Sequence, residues 1–569
     1  MRVSLRFTIF AVTAMILIPV FIFIYAVEAH TSANVILQEQ ERSYGVICDA
    51  GSTGTRLFVY NWVSTSDTEL IQIEPVVFEN KPVMKKISPG LSTFGTKPDE
   101  AAEYLRPLME LAELHIPEEK RPYTPVFIFA TAGMRLIPDE QKEAVLTNLR
   151  TELPKITSMQ VLKEHIRIIE GKWEGIYSWI AVNYALGKFN RTTQPDFPGT
   201  SPGQARQKTV GMIDMGGASA QIAYELPDND DFNSINVENI NLGCREDDSL
   251  FKYKLFVTTF LGYGVNEGIR KYEHKLMEKL KDLNGTVIQD NCMPLNLHKT
   301  VTMENGNNFV RRGTGNWNSC ADEVRQLLTP ETSSEVCKAI VAKCYFGAVP
   351  APNIPLSNVE MYGFSEYWYS THDVLGLGGQ YDAENIAKKS QQYCGQRWST
   401  IQAASKKDLY PRADEERLKT QCFKSAWITS VLHDGFSVDK THNKFQSVST
   451  ISGQEVQWAL GAMIYHMRFF PLRDSSRNLI VKEWVSNVTL SSFGFSIFRT
   501  HSTSESLWAP LFFLTAVFCL FVLVCAKEHS LLCFDDKRRA SFGLTRSQYS
   551  YKMLKENRTS SSSFLENFA

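Results

Sequence analysis

A strand, a turn that opens on aspartate and glycine, and a second strand follow one another in that order at two places in this chain. The first turn reads Asp49-Ala50-Gly51-Ser52-Thr53-Gly54-Thr55-Arg56 and the second Asp214-Met215-Gly216-Gly217-Ala218-Ser219-Ala220-Gln221. Apolar runs flank both, Gly45–Cys48 and Leu57–Tyr60 around the first, Val210–Ile213 and Ile222–Tyr224 around the second. Glycine permits positive φ and close approach of backbone to a ligand. Successive N–H groups in such a turn form a concave anion site, and Ser and Thr hydroxyls add donors. The leading aspartates are hard oxygen ligands of the kind Mg²⁺ and Ca²⁺ take. A single copy reads equally well as an ordinary hairpin turn. Two copies with the Asp in the same place point to a polyphosphate and its metal gripped from both sides. No Gly-x-x-x-x-Gly-Lys-Ser/Thr run occurs, which excludes a P-loop protein.

Two further signals lie between the turns. The buried-strand pattern Pro125–Ala130 opens into Thr131-Ala132-Gly133-Met134-Arg135, placing a hydroxyl and a cation at a strand end. The run Glu170-Gly171-Lys172-Trp173-Glu174-Gly175-Ile176 then starts a helix that continues through Leu186. Glu174 stands near its start, where the helix dipole favours a carboxylate. A carboxylate beside bound phosphates takes the proton of an attacking water; standing alone, it would be an ordinary first-turn helix acid.

The motifs Asp49–Arg56, Ala130–Arg135, Glu170–Gly187, Asp214–Gln221 and Gln457–Gly461 together resemble the nucleoside triphosphate diphosphohydrolase (apyrase) family, in that family's order. The resemblance implies an α/β fold of two actin-like, RNase H-like lobes with nucleotide in the cleft between them. It implies divalent-metal-dependent hydrolysis of a terminal phosphate, with no phosphoenzyme. Matched residue by residue, Glu174 falls on the family's general base and Thr131 on the hydroxyl that helps position the water. Ser219 and Gln221 fall on groups near water and metal, and Asp49 and Asp214 on the carboxylates around the metal's water shell. Ser52, Thr53, Gly54, Gly216, Gly217 and Ala218 fall on the phosphate loops. Such a set fits phosphoryl transfer, which is mostly positioning and charge neutralisation. Cell-surface members tend to carry His where this chain has Gly54, so the chain looks more like the intracellular, diphosphate-preferring branch. The runs Phe129–Pro138, Gly171–Phe189 and Gly363-Phe364-Ser365-Glu366-Tyr367-Trp368-Tyr369 resemble the Golgi and lysosomal members, which act on UDP and other nucleoside diphosphates. Tyr369 falls where the family stacks the nucleobase, although aromatic residues are as often core.

The formal net charge of −2 offers no basic field for nucleic acid. Apolar stretches close both ends, residues 7–27 and 507–526, each long enough to cross a bilayer. A cleaved signal peptide is the rival for the first, with Ala26 and Ala29 as small residues. Arg2 and Arg6 precede the first stretch, and Lys527, Lys537, Arg538 and Arg539 follow the second. The positive-inside rule therefore puts both termini in the cytosol and residues 28–506 in a lumen or outside the cell. Eight of the eleven cysteines fall in that middle region, none in Cys-x-x-Cys spacing, which favours disulfides over zinc. Cys48, in the strand before the first turn, reads as a buried thiol. The family resemblance implies the pairs Cys394–Cys422 and Cys292–Cys320; Cys337–Cys344 is the remaining assignment. Cys525 and Cys533, beside the second stretch, are palmitoylation candidates. Glycosylation sequons begin at Asn190, Asn284 and Asn487. A fourth, at Asn557, falls on the cytosolic side.

The expected organisation is a cytosolic segment 1–6, a span 7–27, a polar stalk 28–43, a first lobe 44–170 and a second lobe 171–452. By the family's arrangement 453–500 returns to the first lobe, before the span 507–526 and a disordered tail 527–569 rich in Ser, Lys and Arg. Lys86–Ser92 reads as a structural turn, and 192–208 and 228–241 as soluble loops. The expected activity is a Ca²⁺- or Mg²⁺-dependent luminal Golgi diphosphatase acting on UDP and GDP. A cell-surface apyrase acting on extracellular ATP and ADP shares every catalytic residue and is the alternative.

Overall fold

The computed structural model describes residues 42–63, 70–190, 206–227, 230–244, 249–283, 287–302, 308–328 and 343–468. The apolar stretches 7–27 and 507–526 lie outside them, as do Asn284, Asn487 and Cys337. Among the described residues no helix is long and apolar enough to cross a membrane.

Each Asp-Gly turn joins two strands that pair antiparallel, as the flanking apolar runs require. In the first sheet β1 (Arg42–Ala50) pairs β2 (Thr55–Val63) with Asp49 opposite Arg56. Outside β2 lie β3 (Ile73–Pro75) and β4 (Met84–Ile87). On the other side β1 runs parallel to β5 (Pro125–Ala130), which runs parallel to β6 (Gln160–Ile168). All six residues of β5 are buried, so its unbroken apolar run fits a strand covered on both faces.

The second sheet repeats the plan. Strand β7 (Gly211–Met215) pairs β8 (Ser219–Glu225) antiparallel with Asp214 opposite Gln221. Beyond β8 come β10 (Lys252–Leu261) and β9 (Val237–Asn241), both antiparallel to their neighbours. Strand β7 runs parallel to β11 (Met361–Ser365), which runs parallel to Phe445–Ser447. Residues 237–241, expected as loop, thus form an edge strand. Only Ile240 among them is buried, too little apolar patterning to show in the sequence.

Two helices fill the space between the sheets. Helix α1 (Gly171–Ala185) packs on the second sheet and α2 (Trp458–Met467) on β1, and the two pack on each other. Their shared core includes Ile176, Trp179, Ile180, Leu460, Met463 and Ile464. A Cβ on Gly461 would stand 1.9 Å from the Tyr177 carbonyl oxygen, so the helices cross backbone to backbone at a point only glycine allows. Both helices were expected, the second over 453–470; residues before Gln457 instead form a short hairpin, Thr450–Ile451 with Gln454–Glu455. Helices Asp139–Ile156 and Glu415–Ser430 had no counterpart in the sequence reading. The second is buried without a break from Gln421 to Ser430, so over that stretch it lacks the alternation of polar and apolar faces that marks a surface helix.

The disulfides Cys292–Cys320 and Cys394–Cys422 are both present. Cys344 is also disulfide-bonded, and Cys48 is a buried free thiol. Asn190 is exposed just past α1. Replacing Gly461 with valine should destabilise the protein by about 3 kcal/mol, since an overpacked contact here meets backbone that cannot rotate away. Thermal denaturation of the solubilised chain, with and without the change, measures it.

Candidate active site

Parallel strands deliver their carboxyl ends to one place. Asp49 sits beside Phe129 in the β1–β5 register, one residue from the Ala50–Ala130 pair that precedes Thr131. Asp214 sits beside Phe364, one residue before Ser365. Asp49, Ser52, Thr53, Gly54, Thr131, Glu174, Asp214, Gly216, Gly217, Ala218 and Ser219 line one cleft. Gln221 lies just behind it, bonded to Glu174.

The two turns close alike, Gly51 N–H to Gly54 O and Gly216 N–H to Ser219 O, both at 3.0 Å. Neither uses a positive φ, so their glycines serve close approach rather than backbone handedness. A Cβ on Gly217 would lie 2.9 Å from Ser52 Oγ, and one on Gly54 2.4 Å from the Ile87 carbonyl. Behind the second turn the helix Val265–Leu283 donates from Val265 and Asn266 to the carbonyls of Gly216 and Gly217. Peptide planarity then turns the N–H groups of Gly217 and Ala218 away from that helix, toward the cleft these residues line. Such an arrangement of N–H groups is the kind that can receive an anion.

Glu174 stands in the first turns of α1 with its side chain deep in the cleft. Its Oε2 accepts from Arg135 at 3.2 Å and from Gln221 at 3.3 Å. The same guanidinium donates to Ser219 Oγ at 3.3 Å and to the Ile169 carbonyl at 2.9 Å. Gln221 also donates to Ser219 Oγ at 2.7 Å. Burial pushes the Glu174 carboxyl up to about 8, with Asp214 and Asp49 adding to the rise and Arg135 opposing it. Burial likewise raises Asp49 to about 6, against the Arg56 charge. Asp214 is raised too, chiefly by burial.

Three buried acids facing one cavity call for a cation. Asp214 Oδ1 is buried without a hydrogen-bond partner, an atom left for something the protein does not supply. Among the described residues no cluster of three His, Cys, Asp or Glu forms a cage. Carboxylate oxygens are the hard donors Mg²⁺ and Ca²⁺ take, and Asp49 and Asp214 are the residues that would hold such an ion.

Tyr369 does not line this cleft. It lines an adjoining pocket with Trp368, Phe364, Glu455 and Val448, which shares Asp214, Ser365, Gln457 and Trp458 with the cleft. The Arg417 guanidinium lies 4.5 Å from the Tyr369 ring centre and covers one face. Arg56 opposes the rise that burial gives the Tyr369 hydroxyl, and it donates to Gln457 at 3.3 Å. Ser365 lines both cleft and pocket from a strained conformation, φ 56°, and opposes the rise that burial gives Asp214.

Several cleft residues received no role in the sequence reading. Arg56, Ser365, Gln457 and Trp458 stood inside quoted motifs, and only their contacts show what they do. Lys86 lines the cleft from a segment expected to be purely structural, and no local pattern marked it.

Residues 35–482 match the GDA1/CD39 (nucleoside phosphatase) family. The chain belongs to that family. It is 89% identical, over 100% of both chains, to a protein of Caenorhabditis briggsae named nucleoside-diphosphatase mig-23, and 86% identical over the same span to the Caenorhabditis elegans protein of that name. The fold is shared with a nucleoside triphosphate hydrolase of Neospora caninum, at a TM-score of 0.55 and 16% identity, covering 79% of this chain and 98% of that one.

In the metal-free chain, native Glu174 holds its proton up to about pH 8, whereas unfolded chain releases it near pH 4 (the ordinary Glu value). Between those values the folded state binds more protons, so this group's contribution to stability falls as pH rises. With chelator present, Glu174→Gln should therefore raise the melting temperature, by a margin that grows from pH 5 to pH 8. Melts across that range check the sign.

Proposed function

We propose that this chain hydrolyses nucleoside diphosphates, UDP and GDP foremost, to the monophosphate and inorganic phosphate. The observation that carries the reading is Glu174, buried between two phosphate-holding turns with one oxygen engaged by Arg135 and Gln221. Its Oε1 is left to accept the proton of a water poised by the Thr131 hydroxyl. The duplicated sheets support two actin-like, RNase H-like lobes gripping the nucleotide.

Ser52, Thr53, Gly54 and the N–H groups of Gly217 and Ala218 hold the phosphate oxygens. The water oxygen then bonds to the terminal phosphorus while its proton passes to Glu174 Oε1. The bridging P–O bond breaks, and its oxygen leaves with the nucleoside monophosphate. Arg135 and Gln221 hold the Glu174 carboxylate on the line of attack, and Ser219 ties both to the second turn. A divalent cation bound at Asp49 and Asp214 supplies charge neutralisation to the phosphates. Tyr369, with one face open to its pocket, is the base platform.

The two relatives' names and their full-length identity support the diphosphate preference. Apolar stretches at both ends, sequons at Asn190, Asn284 and Asn487, and disulfides of the kind oxidising compartments favour support a membrane-anchored protein with its catalytic part in the Golgi lumen. There, cleavage removes the UDP and GDP that glycosyl transfer releases.

Phosphate release from UDP, GDP, ADP, CDP and ATP, each with Mg²⁺, Ca²⁺ or chelator, tests the reading. UDP and GDP should lead, and chelator should abolish turnover; faster release from ATP than from any diphosphate would overturn the preference. Glu174→Gln should lower kcat by about 10²–10⁴-fold with nucleotide binding retained. Asp214→Asn should weaken the response to metal.

A further inference from the structure

We infer that Lys86 is a substrate-binding residue whose ammonium holds the phosphate that departs with the nucleoside, from the side of the cleft opposite the attacking water. The inference rests on the proposed hydrolysis and names a group that reading does not use.

Lys86 reaches the cleft from β4, which pairs with β2 so that Lys86 is opposite Arg56. Its side chain lies over Gly54: a Cβ at that position would stand 3.0 Å from Lys86 Cε. The missing side chain at position 54 is therefore the space the lysine stem crosses. Lys86 is exposed as a residue, its ammonium is partly desolvated, and it lines the cleft. The charges nearest it are Arg56, Arg417, Asp49 and Asp414, and among the described residues none makes an ion pair with it. A cation in a phosphate cleft, beside a second cation and without an acid of its own, is placed for an anionic ligand.

Direction follows from the reaction. The attacking and leaving oxygens of phosphoryl transfer are roughly in line. Glu174, which marks the attacking side, has Arg135, Asp214 and Asp49 as its charged neighbours. Lys86 instead stands beside Arg56 across the β2–β4 pair, and Arg56 donates to Gln457, a residue shared with the Tyr369 pocket where the base is proposed to sit. Lys86 therefore lies on the nucleoside side of the cleft, and Glu174, held by Arg135 and Gln221, on the other. A phosphate whose water comes from the Glu174 side expels its leaving oxygen toward Lys86. For a nucleoside diphosphate that oxygen belongs to the monophosphate, which gains negative charge as the bond breaks. An ammonium there stabilises that charge more in the transition state than in the ground state.

Calorimetric titration of the full chain with UMP and, separately, with inorganic phosphate, both with Mg²⁺, provides the test. Lys86→Met should weaken UMP binding by about tenfold and leave inorganic phosphate within about twofold of its original affinity; Lys86→Arg should restore most of the loss. The exposed edge position makes both variants compatible with folding. In parallel, Lys86→Met should lower kcat for UDP as well as raise KM. Unchanged UMP affinity in Lys86→Met overturns the assignment, as does a loss for inorganic phosphate equal to that for UMP. Failure of the unaltered chain to release phosphate from UDP would defeat the proposed hydrolysis instead, and the two binding titrations would still decide where Lys86 acts.

Discussion

Like charges forced together underlie the architecture of this site. Strand ends bring Asp49 and Asp214 into one cavity, and the start of a buried helix adds Glu174. Desolvation holds all three protons more tightly than free carboxyls would, and repulsion from neighbouring acids adds to it at Glu174 and Asp49. The protein supplies partial relief through Arg135 on Glu174, Arg56 near Asp49 and Ser365 near Asp214. It leaves Asp214 Oδ1 with no partner. Much of the remaining imbalance is of the kind a divalent cation corrects, so the surrounding backbone is organised to hold open a place for charge.

Backbone proximity does the holding. Glycines at the turns, at the helix crossing and over the first turn are sites where another chain segment comes within a Cβ's reach. A Cβ on Gly133 would meet Ser52 Cα at 2.7 Å, and one on Gly90 would meet the Ser52 carbonyl at 2.4 Å. The first turn is thus clamped between the loop at Gly90 and the short helix Ala132–Arg135. The second is backed by a helix terminus whose N–H groups occupy its carbonyls. The two anion sites have the same turn bond but different supports, which a duplicated motif alone would not suggest.

Local signals carried a large part of this into the sequence. The paired turns, the buried strand Pro125–Ala130 and helix α1 are legible because each has a continuous pattern of apolar, glycine and acidic residues. The bringing together of Asp49, Glu174 and Asp214 came from family resemblance, since strand order is not written in periodicity. Lys86 was missed because its function depends on β4 lying beside β2, a pairing that an exposed Met-Lys-Lys-Ile strand does not advertise. Glycine in these turns was read as offering positive φ and close approach to a ligand; crowding by Ile87 and Ser52, both distant from the glycines they confine, is visible only in three dimensions. Tyr369 stands in a neighbouring pocket for a similar reason, since the sequence shows an aromatic cluster but not which ring faces which space.

One guanidinium ties three parts of the chain together. Arg135 leaves the end of β5 and bonds the carbonyl before α1, the carboxylate on α1 and the hydroxyl of the second turn. These contacts span both sheets. Glu174 Oε2 therefore takes its charged contact from the segment after β5 and its neutral one, Gln221, from the second sheet. Parting the sheets would strip Arg135 from the carboxylate and leave Gln221 alone to hold it, so the carboxylate keeps both of its contacts only where the two sheets meet.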